Sequence, residues 1–254
     1  MKIIACCKIV PNEEGITVLP NGELSMADAA NKISQYDLNA MESGKTLAQE
    51  TSGSMIALSV GPSSALDDSK IRKDVLSRGA DELSLVIDDA HDFSDSLQTA
   101  KAIAGALKTM DSYDLVLCGA GSSDLYAQEV GVQVGTLLDL PVVNNVTGIK
   151  VTSDTTLEVE RTLEEEVEIL EVSLPAVISV SSEINVPSVP NMREIMKAGK
   201  KPVNLLTIEE DLSPSTNTLE QLAPKQQERR QEIIESDNEE AVDALVSFLK
   251  KEGF

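Results

Sequence analysis

Apolar residues along this chain recur with two periods. Lys2–Lys8, Met55–Val60, Leu83–Ile87 and Asp114–Cys118 are short apolar runs of strand length. Ser34–Glu50, Leu66–Arg78 and Leu97–Met110 carry apolar residues at helical spacing, and Leu125–Leu138 follows the fourth strand in the same way. Strands alternating with helices predict a parallel sheet covered on both faces. The period then changes to two. Ile149–Val151, Leu157–Leu163 and Val167–Val172 predict an antiparallel addition with Glu164-Glu165-Glu166 at its tightest turn, and Ala176–Val180 returns to a buried strand. After Leu205 the core pattern stops. A polar, proline-marked stretch, SPSTNTLEQLAPKQQERRQE, reads as an extended arm. It leads to an amphipathic helix over Asn238–Lys250, with Asn238 as its cap and Val242, Leu245, Val246 and Leu249 as an apolar stripe that needs a surface to cover it.

Composition narrows the function. The chain has 254 residues and a net charge of −22, from 43 acidic and 21 basic side chains. Nucleic-acid binding wants a basic face, and aromatics at 2% offer no base-stacking platform. No apolar run approaches the roughly 20 residues that span a bilayer, so membrane insertion is not expected. Met1 leads straight into a strand, which predicts no signal peptide. Cys6, Cys7 and Cys118 are odd in number and lie in strand-like runs, as reduced thiols of a cytoplasmic protein would. No metal-ligand spacing is evident. The one histidine, His91, sits in the acidic stretch IDDAHDFSD and reads as solvent-facing, so no acid–base or nucleophilic triad is available.

Two segments carry candidate chemistry. In the first, LVLCGAGSSDLYAQEVG from Leu115, a strand stops at Gly119, small residues make a turn and a helix follows. Gly119 and Gly121 permit close backbone approach, and Ser122 and Ser123 place hydroxyls beside free amides at the helix start. This is neither a P-loop nor a dinucleotide fingerprint. It reads equally as an anion cradle or as a turn capped by Ser123 or Asp124. The second, LPAVISVSSEINVPSVPNMREIMKAGKKPV from Leu174, leaves a buried strand through Pro187 and Pro190. It then enters a helical pattern over Met192–Ala198 with a basic run at Lys197, Lys200 and Lys201. A local lysine excess on so acidic a chain reads as a docking loop or, alternatively, as solvated lysines on a packed loop.

The second segment, with the preceding VERTLEEEVEILEVSLPAV, resembles the β subunit of the electron transfer flavoproteins. KISQYDLNA, RKDVLSRG and GSSDLYAQEVG are similar to its FixA type. The resemblance implies an adenine-nucleotide α-hydrolase-like, Rossmann-like α/β domain over 1–204, with a recognition loop near 183–201, and a C-terminal arm over 205–254 packing on an α subunit. It implies FAD shared with that α subunit, and AMP or a second FAD in the β-subunit site. The positions it assigns to that site are Cys6, Ser34, Gln35, Tyr36, Asp37 and Val60, together with Gly119, Ala120, Gly121, Ser122, Ser123, Asp124, Leu125, Tyr126, Ala127, Gln128, Glu129 and Val130. It places Met192 as the partner anchor, flanked by Lys197 and Lys200, and Val10–Glu14 near the flavin ring. Many members carry Lys-Gln after the first glycine, where this chain has Ala120-Gly121, which leaves AMP and FAD both open. The implied partners are an acyl-CoA or related flavin dehydrogenase and a quinone reductase or ferredoxin-like acceptor, in carnitine or acyl-CoA metabolism. Two rival classes share parts of the pattern. A stand-alone adenine-nucleotide regulator of the universal stress type would need neither hairpin, lysine loop nor arm. An ATP pyrophosphatase would place its glycine loop after the first strand, where this chain has Lys8-Ile9-Val10-Pro11-Asn12.

Overall fold

A computed structural model describes residues 1–91, 93–225, 233–234 and 239–253. The chain opens with β1 (Lys2–Cys6), and then β2 (Ile9–Pro11), β3 (Thr17–Val18), β4 (Leu24–Ser25) and β5 (Asn31–Ile33) form small hairpin-like pieces. There follow α1 (Gln35–Glu50), β6 (Ser54–Gly61), α2 (Ser63–Leu66), α3 (Ser69–Ser77), β7 (Glu82–Ile87), α4 (Ser96–Lys108), β8 (Leu115–Gly119) and α5 (Val130–Leu137). The second half holds β9 (Val142–Val146), β10 (Gly148–Ser153), β11 (Thr156–Thr162), β12 (Val167–Ser173), β13 (Ala176–Val180), α6 (Met192–Ala198), β14 (Val203–Leu205) and α7 (Glu239–Glu252).

Seven strands form one parallel sheet in the order β14-β7-β6-β1-β8-β13-β9. Alternate residues feed two cores. Ile3, Ala5, Met55, Ala57, Leu115, Leu117 and Ile178 face one side, under α1 and α3; Ile4, Ile56, Leu58, Val116 and Val177 face the other, under α4 and α5. Burial on both faces is why these strands read as unbroken apolar runs. The expected antiparallel addition is the separate sheet β10-β11-β12, which contributes Leu157, Val159 and Val172 to the first core. Its tight turn closes through the Leu163 amide to the Glu166 carbonyl at 2.8 Å.

Three expectations change. The helix expected over 66–78 is α3, which starts at Ser69 where Asp68 caps it through the Lys70 amide, and Leu66 ends the short preceding helix α2. The helix behind the glycine turn starts at Val130, because 120–129 is an extended loop in which Tyr126 and Gln128 take φ of +49° and +62°. Residues 203–205 belong to the main sheet as its edge strand. Beyond them Leu206, Ile208 and Leu212 pack on the α4 side of the core. The cap expected at Asn238 lies outside the described residues. No side chain of α7 is buried. Among the described residues no helix is long and apolar enough to cross a membrane.

Candidate functional site

The strand order reverses between β1 and β8: β6 and β7 extend the sheet one way from β1, and β8 and β13 extend it the other way. Open α/β sheets form a crevice beyond the carboxyl ends of strands at such a point. Here the crevice is a cleft of about 760 Å³, counted out to its mouth. Its inner end is apolar, with Cys6, Leu58, Val60, Phe93, Ile103 and Cys118. Its outer rim is formed by residues in and beside the β8–α5 loop, Gly119 to Ser122, Leu125 and Ala127 to Gly131.

Asp37, on the first turn of α1 and 7% exposed, ties the rim together. Its Oδ2 accepts the Lys8 amide at 2.8 Å and its Oδ1 the Gly119 amide at 3.1 Å, so one carboxylate holds the loops after both central strands. Burial pushes this carboxyl up to about 6, against the downward pull of the two amides, the Ser34 hydroxyl and the Lys8 charge. The rim has further fastenings. The Ser34 hydroxyl accepts the Ser123 amide at 3.3 Å, the Ala120 amide donates to the Val180 carbonyl at 2.8 Å, and Lys8 pairs with Asp124 at 2.7 Å. Tyr36 and Tyr126 pack ring against ring, 5.0 Å between centroids. Two glycines are required by contact. A Cβ on Gly119 would lie 2.7 Å from Asp37 Oδ1, and one on Gly121 would lie 2.5 Å from the Tyr126 ring. The amides of Ala127, Gln128 and Glu129 have no acceptor among the described residues and run into the start of α5. Successive unpartnered amides at a helix start attract an anion, and the αL residues Tyr126 and Gln128 turn the backbone there.

A second surface leaves the same edge of the sheet after β13. Polar residues bind its base to α1. Asn185 Nδ2 donates to the Asn39 carbonyl at 3.1 Å and to Ser43 Oγ at 2.9 Å, while Asn39 Nδ2 donates back to the Asn185 carbonyl at 2.8 Å. The Ser188 hydroxyl donates to Glu42 at 2.7 Å. The apolar residues turn outward: Val186, Val189, Met192 and Met196 are 90%, 87%, 72% and 71% exposed. Helix α6 is set by a capping box, with Asn191 accepting the Arg193 and Glu194 amides and Glu194 accepting the Asn191 amide.

Residues 23–211 match the electron transfer flavoprotein domain. The chain belongs to the electron transfer flavoprotein family. The matched span contains α1, the β8–α5 loop, the antiparallel sheet and the outward-facing loop, and it stops at Asp211, before the rest of the arm.

Within this electron transfer flavoprotein domain, the residues singled out in the sequence separate into two groups. Cys6, Asp37, Val60, Gly119, Ala120, Gly121 and Ser122 line the cleft, as do Leu125, Ala127, Gln128, Glu129 and Val130. Ser34, Gln35, Tyr36, Ser123, Asp124 and Tyr126 do not line it; Ser34, Ser123 and Asp124 fasten the rim from outside. The hydroxyls of Ser122 and Ser123 do not stand at a helix start, since α5 begins seven residues after Ser123. Val10, expected near the flavin, is 1% exposed in the core, whereas Glu13 and Glu14 of the same loop are exposed and Glu13 pairs with Lys32. His91 is half-buried. It pairs with Asp88 at 3.0 Å and packs edge-on against Phe93. The sequence reading missed the wall formed by Phe93, Ser94, Ser96 and Thr99. Its signal was present in the Asp95-Ser96 cap that starts α4 just beyond the end of β7. On the outward surface Met192, Lys197 and Lys200 lie together on and just after α6. Lys201 does not join them: its ammonium donates to the Leu76 and Ala80 carbonyls at 2.9 and 2.5 Å, ending α3.

Proposed function

We propose that this chain is the β subunit, of the FixA type, of a heterodimeric electron transfer flavoprotein. It acts as an electron-carrier subunit with no acid–base chemistry of its own. The observation that supports this best is the pairing of the two surfaces on one sheet edge. One is an inward cleft with unpartnered amides; the other is an outward loop with polar residues holding its base and apolar residues at its surface. A stand-alone nucleotide-binding regulator has no use for the second.

An adenine nucleotide fits the cleft. The ring would occupy the apolar end near Cys6, Leu58, Val60 and Phe93, and the phosphates would meet the amides of Ala127, Gln128 and Glu129. The absence of a lysine in Ala120-Gly121-Ser122-Ser123 leaves the backbone as the main anion donor, which suits AMP or the adenylate half of a second FAD. A shared FAD, held mainly by the α subunit, supplies one- and two-electron redox chemistry when bound. This chain walls and orients it along the exposed part of the first loop, Glu13 and Glu14. The outward loop meets an acyl-CoA or related flavin dehydrogenase, with Met192 as a flexible anchor and Lys197 and Lys200 beside it. Electrons leave to a quinone reductase or ferredoxin-like acceptor, in the cytoplasm, within carnitine or acyl-CoA metabolism. The arm and α7 pack on the α subunit, which covers Val242, Leu245 and Val246, all more than 40% exposed.

Co-expression with an α subunit tests the reading. The expected product is a yellow heterodimer that releases one shared FAD and, from the cleft, one AMP or one more FAD. A colourless chain that purifies alone with ATP would replace the reading with the stand-alone regulator.

A further inference from the structure

The arm root and the cleft share one wall. After β14 the chain runs along α4, where Gly105 lets it approach: a Cβ there would lie 2.6 Å from Glu210 Cγ. Lys108 pairs with Glu210 at 2.8 Å, and Leu212 is buried. At the start of α4 the arm is fastened by two buried polar side chains. Gln98 Nε2 donates to the Leu212 carbonyl at 2.5 Å. Asp95 Oδ2 accepts four donors, the amides of Ser215 and Thr216 at 2.6 and 2.7 Å and their hydroxyls at 2.7 and 3.1 Å. Its other oxygen caps α4 through the Leu97 and Gln98 amides. Burial pushes this carboxyl up, but the donors from Ser215, Gln98 and Thr216 hold it well below the usual range.

The other side of the same turn is the cleft wall, Phe93, Ser94, Ser96 and Thr99. Phe93 takes φ of +55°, a left-handed conformation that a bulky side chain holds only when its surroundings impose it. Gln98 Oε1 accepts the Phe93 amide at 3.2 Å while its amide nitrogen holds the arm, and the Thr99 hydroxyl donates to the Phe93 carbonyl at 3.3 Å. The contacts therefore run from the arm through Gln98 and Asp95 to Phe93 and the cleft.

We infer that Asp95 and Gln98 are positioning residues that couple the arm root to the nucleotide cleft, so that fastening 212–216 sets the wall against which an adenine nucleotide binds. The inference rests on the nucleotide reading of the cleft. Coupling of this kind is reciprocal, and typical couplings change affinity about 5- to 150-fold. Two variants of the full chain test it. Asp95→Asn keeps the oxygen that caps α4 and loses the acceptor for Ser215 and Thr216. Ser215→Pro removes two donors from the arm side and leaves α4 untouched. AMP affinity by calorimetry is expected to fall about tenfold in both. In the unaltered chain, AMP is expected to slow hydrogen exchange of the Ser215 and Thr216 amides, which a merely structural Asp95 would not produce. Unchanged AMP affinity in Ser215→Pro, with faster exchange at 212–216, overturns the coupling and leaves the cleft assignment standing. An unaltered chain that binds neither AMP nor FAD in the cleft overturns both.

Discussion

Two loops leave neighbouring strands at the same sheet edge and come out opposite. The loop after β8 turns inward. Its backbone is held by a buried carboxylate at Asp37, a buried hydroxyl at Ser34 and the Val180 carbonyl, and Leu125, Ala127 and Val130 line the cleft. The loop after β13 turns outward. Asn185 and Ser188 bind its base to α1, and Val186, Val189 and Met192 stand in solvent. In the first, buried polar atoms shape a hole. In the second, polar atoms hold a platform that displays apolar side chains. The polar bonds fix geometry in both; whether the apolar residues line a cleft or stand clear of one decides whether the loop receives a ligand or offers itself to a partner.

The comparison breaks most readily at the inward loop. Gly119→Val puts a side chain into Asp37 Oδ1 and the Tyr36 backbone, 2.7 and 2.8 Å away, and backbone cannot move aside cheaply. Overpacking of this kind costs about 3 kcal/mol. Urea unfolding should show that loss, together with loss of AMP binding; unchanged stability would mean that the rim is looser than the contacts imply.

Asp37→Asn comes next. One oxygen cannot serve both Lys8 and Gly119, so the variant leaves an amide unpaired at a cost of about 1–3 kcal/mol. The pH dependence has a definite sign. The folded carboxyl titrates at about 6, above its unfolded value of about 3.9, so the native chain binds the proton more tightly. That stabilisation is complete below about pH 4 and is lost as pH rises through about 6. The difference in stability between wild type and Asp37→Asn should therefore be larger at pH 4 than at pH 7, by on the order of 2 kcal/mol. Equal differences at the two pH values would place the carboxyl in solvent.

The sheet was legible because both faces are buried and the strands read as apolar runs: Ile3 to Cys6 and Leu115 to Cys118 needed no further signal. Gly119 and Asp37 were legible as a pair through family resemblance, but their bond was not, since nothing in a linear sequence brings residues 82 apart within 3.1 Å. The start of α5 was misplaced because Leu125 and Tyr126 continue a helical apolar spacing while their backbone forms a loop held by tertiary bonds. Lys201 looked like its lysine neighbours and differs by position alone: it follows the turn that brings its ammonium over the end of α3. The 93–99 wall was missed because Phe93 is held there by a bond to Gln98, whose other partner is a carbonyl 114 residues later.

At the outward loop the effects should be smaller and of another kind. Asn185→Ala removes the donors to Asn39 and Ser43 and should cost about 1 kcal/mol in urea unfolding, with slower electron transfer from the proposed dehydrogenase as the platform loosens. Met192→Ala separates display from support. The side chain is 72% exposed and fastens nothing, so stability should stay within about 0.5 kcal/mol of wild type. Heterodimer yield and FAD content should not change either. Electron transfer with the partner should slow about tenfold, as truncation of an apolar hot spot does. The pair of outcomes sharpens the contrast: at Gly119 and Asp37 function is lost along with stability, whereas at Met192 it is lost alone. Unchanged partner kinetics in Met192→Ala would remove the anchor from Met192, and the adjacent exposed residues Val189 and Met196 would then be the positions to truncate.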